Sequence, residues 1–238
     1  MVENSIGELR ELDRKPGFGF LQAEPDAIEI EWQKTGILIV DVQNAFMSKN
    51  AYFDLMGYDV NAGRIIIEPI RKISNAARRK GIKIIYAYTV HYPGDAGTGP
   101  DSVFWHKEAS LVYYRDHPEQ ADNLLLPGTW GAEIIEELRP REGDVLLEKS
   151  RYSAFYDTNL DTVLKRFDIK YIITVGLCSN CCVEALLRDA YYRGYFGIMV
   201  SDATAACGPE FMQEASLFNI KTFYGWTVSA EDFFRALK

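Results

Sequence analysis

Three residues of reactive type stand at or just beyond the ends of apolar runs. Asp41 closes Ile37-Leu38-Ile39-Val40, Lys149 follows Leu146-Leu147-Glu148, and Cys182 comes after Tyr171 to Val175 through Gly176-Leu177-Cys178-Ser179-Asn180. A carboxylate, an ammonium and a thiol are sufficient parts for nucleophilic catalysis. Of the three, the thiol as thiolate is the plausible nucleophile. The spacing predicts Cys182 in the first turn of a helix, where unpaired N–H groups and the dipole lower a thiol pKa. Taken singly, Asp41 reads as a capping carboxylate and Lys149 as a solvated lysine. Three such residues at three strand ends of one sheet favour the chemical reading.

The remaining motifs carry less. Cys178-x-x-Cys181 reads as a redox pair or half of a zinc site, but Cys207, His91, His106 and His117 lack ligand spacing. Cys181 and Cys207 are therefore expected to be small packing residues. Gly17-Phe18-Gly19 starts like a dinucleotide fingerprint, yet the sixth position is Gln22 and no strand precedes it. There is neither a Gly-x-Ser-x-Gly elbow nor a phosphate-binding P-loop.

The elements that must position these residues alternate along the chain. Ile37 to Val40, Lys83 to Tyr88, Asp144 to Leu147, Tyr171 to Val175, Phe196 to Val200 and Thr222 to Tyr224 read as buried strands. Leu160, Val163, Leu164 and Phe167 follow helical spacing after the capping candidates Asp157 and Thr158. Cys182, Val183, Leu186, Leu187 and Ala190 share the face of a second helix, with Ser179 or Asn180 as N-cap and Gly194 as terminator. A third begins at Pro69 and ends in Arg78-Arg79-Lys80-Gly81, and a last one over 230–237 buries Phe233, Phe234 and Leu237. Strand and helix repeated about six times predict an α/β fold, a three-layer α/β/α sandwich on a mainly parallel six-stranded sheet. Ligands of such sheets sit beyond the carboxyl ends of the strands. Residues 1–34 are polar and mixed, an expected arm on the surface or on a neighbouring subunit, and 35–238 form one domain. The Gly-, Pro- and aromatic-rich stretch 89–130 is expected to be a lid or binding segment.

Composition limits the partners. Among 238 residues, 26 Lys+Arg against 34 Asp+Glu leave a net charge of −8, the wrong sign for nucleic acid. No run reaches the apolar length of a membrane span, and no basic and apolar leader opens the chain, so neither export nor a membrane is expected. Four cysteines crowded between 178 and 207 fit a reducing cytoplasm better than a disulfide framework.

The motifs Ile39-Val40-Asp41-Val42-Gln43-Asn44, Glu148-Lys149-Ser150-Arg151-Tyr152-Ser153 and Gly176-Leu177-Cys178-Ser179-Asn180-Cys181-Cys182-Val183-Glu184 together resemble the isochorismatase-like cysteine hydrolases. Within them the likeness is strongest to the ureidoacrylate amidohydrolases of the Rut pyrimidine-degradation pathway. It is carried by 51–55, Leu187-Arg188-Asp189, Gly208-Pro209-Glu210-Phe211, Phe218-Asn219-Ile220 and Gly225-Trp226. The resemblance implies an Asp41-Lys149-Cys182 triad and a cis peptide before Cys178. It further implies an oxyanion hole from the backbone N–H groups of Cys178 and Cys182, and a thioester formed from a small ureido or carbamoyl substrate. Tyr52 and Tyr152 match pocket residues. Where the ureidoacrylate enzymes carry Asn and Trp after the second strand, this chain has Thr89 and His91, which are expected to contact substrate. Nicotinamidases of the superfamily place an Asp-x-His metal site there, and Thr89-Val90-His91 departs from it, so neither metal nor cofactor is expected. A homo-oligomer acting on a small molecule is the implied assembly. Competing readings are an amidase for biuret or an N-carbamoyl amino acid, a binding protein on the same scaffold, and a thiol redox protein using Cys178 and Cys181.

Overall fold

The computed structural model describes residues 16–95 and 97–238. Two short strands, β1 (Phe18–Leu21) and β2 (Ile28–Glu31), pair antiparallel. This hairpin differs from the expected surface arm: Leu21 and Ile30 are fully buried, and Trp32 meets Phe233 edge-on at 6.0 Å. The signal was there in the alternation of large apolar and polar residues, but the charged residues between them mask it. Residues 1–15 of the expected arm lie outside the described residues.

The main sheet contains β3 (Thr35–Val40), β4 (Lys83–Thr89), β5 (Val145–Lys149), β6 (Tyr171–Leu177), β7 (Phe196–Ala205) and β8 (Trp226–Val228). All neighbours are parallel, in the order β5-β4-β3-β6-β7-β8. Successive strand residues point to opposite faces, and the two cores follow that period. Ile37 and Ile39 enter one cluster with helices Ile67–Arg79 and Ala230–Leu237, while Leu38 and Val40 enter the other with Leu160–Arg166 and Glu184–Tyr192. Each fully buried Leu or Ile contributes about 1.5–3 kcal/mol, so both helical layers are held by their apolar stripes. The α/β/α sandwich is the one expected.

Three local readings change. Thr222 to Tyr224 is a π-helical turn, Ile220–Tyr224, and the last strand starts at Trp226. A three-residue apolar run carries no period that separates strand from helix. Neither Ser179 nor Asn180 caps its helix: Cys178 is the N-cap, in extended conformation, and a π-helical turn Ser179–Val183 leads into Glu184–Tyr192. The stretch 89–130 is not a bare loop, since it holds helices Val103–Lys107 and Ala109–Asp116 and a 3-10 turn Pro118–Asn123.

Candidate active site

Strand order explains which side chains meet. From β3 the chain moves outward to β4 and β5 and then returns to the other side of β3 with β6, so the crevice beyond the carboxyl ends opens between β3 and β6. Asp41 leaves β3 there, and the turn after β6 brings Cys182. Gly176, at φ +111°, pairs with Val40, and a Cβ on it would collide with the Val40 carbonyl, so the close approach of these strands requires glycine.

Lys149 must reach Asp41 from two strands away, roughly 9–10 Å at the usual strand spacing. Only a long cation spans this gap. Lys149 Nζ lies 2.8 Å from Asp41 Oδ2 and 3.5 Å from Cys182 Sγ. Thr89, which is in register with Lys149 on the intervening strand, fills the space between. Its hydroxyl accepts from Lys149 Nζ at 2.6 Å and donates to Asp41 Oδ1 at 2.8 Å. Gln43 clamps Thr89 in turn, its amide donating to the Thr89 carbonyl and accepting from the Thr89 N–H, both at 2.8 Å. Asp41 has φ +52°, a left-handed conformation uncommon for a residue with a Cβ and typical of functional strand ends.

The charges are set by burial and contact. Burial works to lower the pKa of Lys149, but the charges of Asp41 and Cys182 and the hydrogen bond to Asp41 outweigh it, so the ammonium is held above its ordinary range. The Cys182 thiol is pushed up by its hydrogen bond with Cys181, by burial and by Asp41, with Lys149 pulling the other way. This corrects the expectation of a lowered thiol pKa. The helix does not begin with an open α-turn, and the hydrogen bond with Cys181, burial and the facing Asp41 carboxylate all favour the protonated thiol. The thiol therefore rests protonated and needs a base when it reacts. The Leu177-Cys178 peptide is cis. In the turn that follows, the N–H groups of Cys181 and Val183 go to the Cys178 carbonyl at 3.0 and 3.1 Å.

A cavity of about 160 Å³ opens over Cys182. Tyr52, Thr89, His91 and Tyr152, the four expected contacts, all line it together with Cys178. Thr89 differs in role, because its hydroxyl is already engaged by the charged pair. Arg151, Glu108, Cys181 and Cys207 also line the cavity and carried no signal as pocket residues, since tertiary packing alone brings them there. Two shallower hollows of about 410 Å³, one beside Pro69 and one beside Tyr191, are larger but hold no nucleophile.

The fold and site define a class: three-layer α/β/α proteins with a cysteine-centred pocket at the carboxyl edge of a parallel sheet. The chain belongs to the isochorismatase family, since the model of the isochorismatase domain matches residues 35–232. Among its relatives, the ureidoacrylate amidohydrolase RutB of Agrobacterium fabrum is 41% identical over 216 residues, covering 90% of this chain and 94% of that protein. RutB of Stutzerimonas stutzeri is 41% identical over 215 residues, 90% of this chain and 86% of that one. Among solved structures, a cysteine hydrolase from Pseudomonas syringae pv. phaseolicola superposes with a TM-score of 0.70 at 27% identity, covering 87% of this chain and 94% of that one. N-carbamoylsarcosine amidase from Thermoplasma acidophilum does so at 0.65 and 27%, covering 83% and 97%.

Proposed function

We propose that this chain is a cysteine-dependent amidohydrolase that cleaves a C–N bond of a small ureido or carbamoyl compound. The observation that carries the reading is the buried Asp41-Lys149-Cys182 cluster, whose thiol lines a small cavity. The relatives named ureidoacrylate amidohydrolase support the substrate class. Asp41 takes the Cys182 proton, and the thiolate adds to the ureide carbonyl. The backbone N–H groups of Cys178 and Cys182 receive the developing oxyanion, a contribution of about 3–4 kcal/mol per donor in related chemistry. Asp41 returns the proton to the leaving nitrogen, which departs as ammonia or amine and leaves a thioester. Water, deprotonated by Asp41, then adds to the thioester, and the thiol is regenerated as acid or carbamate leaves. Lys149 stays charged throughout and holds Asp41 in place.

The enzyme is further proposed to work in the cytoplasm, as all four cysteines are free thiols. No helix among the described residues is long and apolar enough to cross a membrane. Exposed Tyr191, Tyr192, Phe196, Phe218 and Phe223 support self-association. The test of function is ammonia release from ureidoacrylate, biuret, N-carbamoyl amino acids and nicotinamide, with mass spectrometry for an acyl adduct on Cys182. A protein that binds these compounds without turnover or adduct is a binding protein, and the reading fails.

A further inference from the structure

We propose that Cys207 and Cys178 form a peroxide-responsive thiol pair in the wall of the cavity, and that a disulfide between them shuts the site off reversibly. The pairing is independent of the amidohydrolase reading, and only its effect on turnover rests on that reading.

Cys178, Cys181, Cys182 and Cys207 are all free thiols and all line the cavity, yet the mechanism uses only the Cys182 sulfur. The structure pairs them in a way that the spacing Cys178-x-x-Cys181 does not suggest. The Cys181 thiol is hydrogen-bonded to Cys182, while the Cys178 and Cys207 thiols are hydrogen-bonded to each other. The sheet explains the second pair. Leu177 is in register with Ala205 on the neighbouring parallel strand, so Cys178 and Cys207 emerge side by side from β6 and β7. Neighbouring strands lie about 4.8 Å apart, within the roughly 4.4–6.8 Å between Cα atoms that a disulfide bridges. Asn180 fixes Cys207 in place, its amide donating to the Cys207 carbonyl and accepting from the Cys207 N–H, both at 3.0 Å. Cys181 and Cys182 cannot close in the same way, because Cα atoms of adjacent residues are only about 3.8 Å apart.

Cys207 is the half-buried member of the pair and Cys178 the buried one. The Cys178 thiol donates to the Cys207 sulfur and, against the opposing effect of burial, lowers the Cys207 pKa to about 7, so thiolate is present at neutral pH. The same hydrogen bond, together with burial, keeps Cys178 protonated. A thiolate beside a second thiol is the arrangement in which a sulfenic acid forms and is then resolved. The Cys207 thiolate attacks one oxygen of a hydroperoxide and the O–O bond breaks. Cys207 is oxidised to the sulfenic acid, and the rest of the hydroperoxide takes a proton and leaves as water or an alcohol. The Cys178 sulfur then displaces hydroxide from the Cys207 sulfur, its own proton leaving with the hydroxide as water. A dithiol restores both thiols and is itself oxidised to a disulfide. Closing a covalent bond between sulfurs that are now only hydrogen-bonded pulls the Cys178 main chain, whose N–H is one of the two oxyanion donors proposed above. A displacement of about 1 Å in a reacting geometry costs roughly 100-fold in rate. Cys182 rests protonated, so oxidant is consumed at Cys207 before it reaches the nucleophile.

The test is to treat the reduced full-length protein with hydrogen peroxide, block the remaining thiols with N-ethylmaleimide and map the peptides by mass spectrometry. Wild type should give a linkage between Cys178 and Cys207 as the main product, with Cys182 left as a free thiol. Turnover should fall roughly 100-fold as the linkage forms and return with dithiothreitol. In Cys178→Ser protein, dimedone should trap a sulfenic acid on Cys207. Cys207→Ser protein should form no linkage, and peroxide should inactivate it roughly tenfold more slowly and at Cys182 itself, the ratio of thiolate near pH 7 between a thiol at about 7 and one at or above about 8.5. A linkage of Cys178 to Cys181, no linkage at all, oxidation of Cys182 ahead of Cys207, or a Cys207→Ser protein as sensitive as wild type overturns the inference and leaves the amidohydrolase reading intact. If the linkage forms but no ureido compound is turned over by the reduced protein, the amidohydrolase reading fails and the switch with it, while the thiol pairing stands.

Discussion

Replacing Thr89 by Val separates a residue that positions the charged pair from one that touches substrate. Valine has nearly the same shape, so no cavity opens, but the hydroxyl that accepts from Lys149 and donates to Asp41 is lost. Each hydrogen bond to a charged partner contributes about 1.5–3 kcal/mol. Lys149 retains Asp41 Oδ2 at 2.8 Å and the Arg151 carbonyl at 3.2 Å, so the pair stays together and the loss is closer to one bond than two. A destabilisation of about 2–3 kcal/mol follows, which in a domain of this size lowers Tm by roughly 4–12 °C. Asp41, freed at Oδ1, turns away from its working position. At 1.4 kcal/mol per factor of ten, kcat should fall roughly 10–100-fold. The assay is steady-state ammonia release together with the pseudo-first-order rate of Cys182 alkylation by iodoacetamide. Both rates should drop together with KM little changed, and Thr89→Ser should recover most of the loss. A raised KM with unaltered kcat and alkylation would refute the positioning role and return Thr89 to the substrate contact expected from the sequence.

Cys182→Ala should abolish turnover in folded protein, Asp41→Asn should do nearly the same because the raised thiol loses its base, and Lys149→Met should be severe; circular dichroism and ammonia release check all three. Cys181→Ala and Cys207→Ala should each keep most of kcat and cost modest stability, and a loss comparable with that of Cys182→Ala in either would contradict the assignment of one nucleophile. The pH dependence of alkylation at Cys182 should place its thiol above the ordinary cysteine range, and saturation well below it would show that Lys149 outweighs Cys181, burial and Asp41. His91 takes a proton near pH 6.5 when unfolded and only near 3 when folded, so its contribution to stability is full above about 6.5 and declines as pH falls toward 3. Glu108, raised mainly by burial, acts in the opposite sense. Wild type should therefore lose more stability than His91→Phe between pH 6.5 and 4, by up to about 1.4 kcal/mol per pH unit in urea titrations.

Local pattern alone determined the layers and the strand ends. Runs such as Ile37-Leu38-Ile39-Val40 and Tyr171 to Val175 are buried on both faces wherever they lie, so the α/β alternation and the reactive residues at its edges were legible without coordinates. The same was true of helix 230–237, whose apolar spacing needs no neighbour to be recognised. Lateral strand order has no such local signature, because every buried parallel strand reads alike. Only the order β5-β4-β3-β6 places Thr89 between Lys149 and Asp41, and turns a supposed substrate contact into a bridge within the charged pair. Helix-start chemistry misled for a related reason: the turn at Ser179–Val183 is π-helical, and the Cys182 thiol answers to Cys181, burial and Asp41 rather than to a dipole. Glu108 carried no signal in the sequence, and only the fold makes it the N-cap of a short helix. Its place beside the unpartnered His91 ring depends on how 89–130 folds back over the sheet, a matter of packing between segments that no spacing along the chain records.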